Sequence, residues 1–131
     1  MKQHIPRKFM LAVTALVAGS ALVWQANAAG DKEDAIKQFM KAYHKAPKGV
    51  DPVCKKAIDG KASAEELKKL VAGYKMMAAC KAPKGDEGSW KEKTSKLAAA
   101  AEALQKGEAG AATAYKEAVN CKACHSLHKG D

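Results

Sequence analysis

The chain has 131 residues, four cysteines and a formal net charge of +9, a length that suits one domain with a modest core. Its basicity is lysine, with Arg7 the single arginine and aromatics at 5%. That composition excludes a nucleic-acid face, which needs arginines and exposed aromatics on one basic surface.

The N-terminus reads as an export signal. Lys2, Arg7 and Lys8 precede an apolar run from Phe9 to Val23, and Ala26-Asn27-Ala28 supplies an A-x-A cleavage site. The run is short of the ~20 residues needed to span a bilayer, so cleavage after Ala28 and an exported, periplasmic chain are expected. Residues 29–131 then form the domain, with no membrane contact after the signal is removed. Three basic and no acidic residues leave with the signal, which takes the charge from +9 to +6.

The remaining sequence predicts an all-α fold, because alanine, lysine, glutamate and leucine dominate and apolar residues recur at three and four. A first helix is expected over Asp31–Ala46, with Ile36, Phe39, Met40 and Tyr43 inward and Pro47 and Gly49 as stops. A short helix over Pro52–Ile58 follows, with Asp51 as N-cap and Gly60 at its end. Ser63 and Glu66 form a capping box ahead of Leu67, Leu70, Tyr74 and Met77, in a helix ending near Lys81. Lys45-Ala46-Pro47-Lys48-Gly49 recurs as Lys81-Ala82-Pro83-Lys84-Gly85; both copies read as helix stops. Ser89 is placed as cap of a helix with Trp90, Thr94, Leu97, Ala101 and Leu104 inward, ending at Gly107. The last helix is expected over Glu108–Leu127, with Ala111, Tyr115, Ala118 and Val119 inward. Four such helices with short loops predict an antiparallel four-helix bundle.

Cys121-Lys122-Ala123-Cys124-His125 is a C-x-x-C-H stretch, the pattern of covalent c-type haem attachment. Two thiols three positions apart on a helical turn face the same way, so each can form a thioether with one haem vinyl group. The adjacent imidazole then takes the iron. A thioredoxin-like dithiol would need a βαβ setting and a zinc knuckle a second nearby pair, and neither pattern is present. One haem c per chain is expected, held by Cys121, Cys124 and His125.

A C-terminal haem motif on the last helix of a four-helix bundle behind a signal peptide resembles the cytochrome c′ family, the class II c-type cytochromes. Met40-Lys41 is similar to the low-spin members, in which a first-helix methionine binds the distal face of the iron. The resemblance implies Met40 as distal ligand and leaves a homodimer open. Ile36 stands where the family usually has an arginine beside a haem propionate, so a lysine must take that place. Pro47 and Pro52 interrupt a first helix that the family keeps whole.

Met40 and His44, at i and i+4, share a face, and His44 is the alternative distal ligand. His128, one turn after His125, reads as a solvated helix-end residue, and Trp90 and Tyr74 as core. Cys54 and Cys80 are expected as a disulfide, since two unpaired thiols are liabilities in an exported compartment, although simple bundle geometry would set them far apart. No substrate pocket is visible, so an enzyme is not expected. The leading function is an electron carrier serving a redox partner protein. The competing reading is a five-coordinate protein that binds nitric oxide or carbon monoxide.

Overall fold

The computed structural model describes residues 28–131. The expected signal, residues 1–28, lies outside them except for Ala28, where the first helix begins. Six helices follow one another: α1 (Ala28–Tyr43), α2 (Val53–Ile58), α3 (Ala64–Ala79), α4 (Glu87–Gln105), α5 (Ala111–Ala118) and α6 (Cys121–His128). No strand occurs among the described residues, and the fold is all-α.

Local chemistry sets most of the boundaries. Ser63 accepts from the Glu66 amide at 3.1 Å while the Glu66 carboxylate accepts from the Ser63 amide at 2.8 Å, so the expected capping box is formed at α3. At α2 the N-cap is Pro52 rather than Asp51. The Pro52 carbonyl accepts from both Lys55 and Lys56 amides, and Asp51 instead pairs with the Lys55 ammonium. At α4 the cap is Asp86, whose carboxylate accepts from the Ser89 amide at 2.7 Å; Ser89 lies inside the first turn. An acidic cap here also complements the helix dipole.

The expected last helix is two helices. Val119 leaves the helical path at φ −80° and ψ 38°, and Asn120 is extended at ψ 90°. The Asn120 side chain accepts from the Ala123 amide at 3.0 Å and so caps a new helix. The C-x-x-C-H residues therefore open α6 instead of ending a long helix.

Packing centres on α3 and α4, an antiparallel hairpin. Trp90 Nε1 donates to the Cys80 carbonyl at 3.0 Å near the connection, and Lys75 pairs with Glu102 at 2.8 Å farther out. Leu70, Tyr74 and Met77 of α3 meet Trp90, Ala98 and Ala101 of α4 in one buried cluster. Burying a side chain such as Leu70 stabilises the fold by roughly 1.5–3 kcal/mol. The small α4 face lets neighbouring helices approach. α5 lies against α4 and α2, bringing Tyr115 into the same cluster, and α1 meets α3 at Gly73. A Cβ at Gly73 would overlap the Phe39 ring, so glycine is what admits α1 there. α6 packs on α4. Among the described residues no helix is long and apolar enough to cross a membrane.

Candidate functional site

Cys121 and Cys124, one turn apart on α6, both line a cavity of about 380 Å³. His125 lines it too, with Met40 of α1 and Met77, Thr94 and Leu97 of the α3–α4 hairpin as other walls. A second cavity, of about 330 Å³, adjoins it; the two share Met40, Lys45, Met77, Cys124 and His125. Cys121 is exposed, and Cys124 is half-buried against the core cluster. Burial raises the Cys124 thiol above its ordinary pKa, a shift that the nearby Lys93 ammonium opposes. Met40 is half-buried and His125 exposed.

These residues fit a covalent haem. The chemistry needs two thiols opening on one space, an imidazole beside them and a largely apolar wall opposite, and one cavity brings all three together. Volumes of this order suit a cofactor site. Among the described residues no three His, Cys, Asp or Glu side chains form a metal-ion cage. A haem brings its own four nitrogen ligands and asks the chain only for axial ones.

His44 also lines the larger cavity, but its Nε2 lies 3.0 Å from the Tyr74 hydroxyl, which in turn lies 2.7 Å from the Tyr115 hydroxyl. Burial, with a smaller contribution from the charge of His125, pushes His44 down to about 4. It is neutral at neutral pH, so a consistent chain runs from Tyr115 O–H to Tyr74 O–H to an accepting His44 Nε2. Both phenols are raised well above the ordinary tyrosine range, first by burial. No local pattern signals this chain of bonds, which joins residues 30 and 41 positions apart.

Two expectations are corrected here. Cys54 and Cys80 are both buried free thiols, not a disulfide. Cys54, in the first turn of α2, sits in the region of Tyr74, Tyr115 and Cys121; burial raises its thiol, and the charge of Cys121 adds to the effect. Cys80 ends α3, with Sγ 3.7 Å from Met76 Sδ. Six residues separate Tyr74 from Cys80, about 9 Å of helix, which keeps the two thiols in different parts of the core. The second correction concerns His128, which is only 2% exposed and not a solvated helix end. A sequence signal existed: Cys121, Cys124, His125 and His128 stand at i, i+3, i+4 and i+7, one continuous stripe.

Comparison with protein-family models, with curated proteins and with solved structures returns no match.

Proposed function

We propose that this chain is an exported, periplasmic haem c electron carrier of the cytochrome c′ kind, not an enzyme. One haem would be held by Cys121 and Cys124 through thioethers, with His125 and Met40 as the residues that would ligate its iron. The helices would then be a four-helix bundle of α1, α3, α4 and a last helix divided at Asn120 into α5 and α6, with α2 as an added turn. The carrying observation is that Cys121, Cys124 and His125 share a cavity with Met40 on a different helix.

When bound, the haem supplies a one-electron ferric–ferrous couple. The rest is the work of the chain. Cys121 and Cys124 fix position and rotation, and His125, adjacent to the second thiol, is brought beside the cavity. Met77 and Leu97 keep water from part of its wall. Met40 is favoured over His44 because His44 Nε2 is already engaged by Tyr74, while the Met40 thioether has no hydrogen bond among the described residues. Lys45, Lys93 and Lys96 border the cavity and are the cations available to haem carboxylates in place of the family's arginine.

The test is direct. In protein purified from an export-competent host with haem maturation, acidified acetone should leave the colour on the chain, and Cys121→Ala or Cys124→Ala should leave little coloured protein. Colour extracted from the wild type sinks the proposal. The oxidised and reduced spectra should be low spin and little changed by carbon monoxide. A high-spin wild type that binds carbon monoxide transfers the reading to gas binding.

A further inference from the structure

We propose that His128 is a positioning residue, a latch that ties α6 to the α3–α4 connection and so sets how His125 enters the cavity. The inference rests on the haem reading above.

His128 follows Cys121 by seven residues and Cys124 by four, so it continues their face of the helix. Both of its ring nitrogens are used. Nδ1 lies 2.9 Å from the Lys84 carbonyl, which can only accept, so Nδ1 carries the proton. Nε2 is then left to accept from the Ser89 hydroxyl at 3.1 Å. The ring also meets Trp90 edge-on, with centroids 5.6 Å apart. One side chain of α6 thus touches the loop and the first turn of α4 at once.

The loop is shaped for this approach. Gly85 has φ +81°, and a Cβ there would lie 2.5 Å from the Leu127 carbonyl and 3.3 Å from His128 Nδ1. The first copy of the same pentapeptide makes a comparable turn at Gly49, φ +87°, with nothing within 4 Å. The turn therefore belongs to the pentapeptide, and the close approach belongs to the docking of α6. An eight-residue helix is not stable alone. Asn120 caps its start, Leu127 is 51% exposed, and His128 is the fully buried anchor at its end. His125 lies between the cap and the latch, so the helix rotation that they fix also sets the direction in which the His125 side chain leaves α6.

The experiment compares full-length wild type with His128→Leu, His128→Gln and Gly85→Ala. Leucine fills space without hydrogen bonds, whereas glutamine can donate and accept like the ring. Amide exchange over residues 124–129 should quicken about ten- to a hundredfold in His128→Leu, which loses both ring hydrogen bonds, and return toward wild type in His128→Gln. The visible spectrum and midpoint potential should shift in His128→Leu, recover in His128→Gln and shift again in Gly85→Ala, which keeps His128 but crowds its dock. Wild-type exchange and spectrum in His128→Leu overturn the proposal, as does equal disturbance by leucine and glutamine. A wild type without covalent haem instead defeats the functional reading and with it the effect on the iron. The exchange contrast between leucine and glutamine then still decides the latch.

Discussion

Met40 and His44 face the same cavity on unequal terms. For His44 to bind a metal through Nε2 it must release the Tyr74 hydroxyl, stranding a buried donor, whereas the thioether of Met40 is a weak acceptor with nothing to lose. Met40→Ala in the loaded protein should therefore give a high-spin spectrum, a lower midpoint potential and ready carbon monoxide binding. His44→Ala should alter the spectrum little but lower stability by about 1–3 kcal/mol in chemical denaturation, because Tyr74 is left without its acceptor. A high-spin species from His44→Ala alone would make His44 the ligand. The resemblance already put Met40 ahead of His44; the bond that holds His44 was not legible, since Tyr74 is 30 residues away. His128 shows the opposite case. Its seven-residue register from Cys121 was readable, but the partners that bury it, Ser89 and Lys84, lie 39 and 44 residues away.

At the scale of the element, short-range polar chemistry decided what apolar period could not. The capping box at α3 was readable because all its parts lie within four residues. The division of the last helix turned on one asparagine, whose side chain competes with the helical ladder while the apolar pattern continues on both sides. Asn120→Ala should reduce stability by about 1 kcal/mol, and exchange should show α6 loosening before α4. Ser63→Ala should cost a similar amount. Glu66, held below the ordinary carboxylate range first by the Ser63 amide and then by Lys56, is a group with a depressed folded pKa. Its contribution is present above its unfolded pKa and lost as pH falls through the folded one, so Glu66→Gln should destabilise at neutral pH and its penalty should shrink in acid, whereas Ser63→Ala keeps the backbone amide that holds the carboxylate. Thermal melts at neutral and low pH would check the sign. Gly73→Ala should destabilise by about 1–3 kcal/mol and disturb Met40 as well, since the added methyl meets Phe39 of the same helix.

For the whole molecule, the charge expected after export is +6, and Lys45, Lys93 and Lys96 stand at the cavity wall. Raising ionic strength from 0.01 to 0.15 M shortens the screening length from about 30 to about 8 Å. If the chain carries the proposed haem, its reaction with an anionic reagent such as ferricyanide should slow over that range, and its reaction with a neutral reagent should not, in stopped-flow mixing. The all-helical character was legible in composition and period. The placement of Cys54 relative to Cys80 was not, because it depends on how α2 folds back onto α3 and α5.

The attachment of α1 and α6 has a kinetic consequence. The α3–α4 hairpin is built from contacts close in sequence, which form early and fast, whereas α1 must reach across a long stretch of chain to seat Phe39 over Gly73, and α6 must bring His128 back to Lys84, a separation of 44 residues. Those late steps close the cavity from its two sides. Until they finish, Cys121 and Cys124 stand on a helix not yet docked; on the proposed reading, the interval in which Cys124, half-buried once α6 is seated, is fully open to haem attachment would be set by that docking.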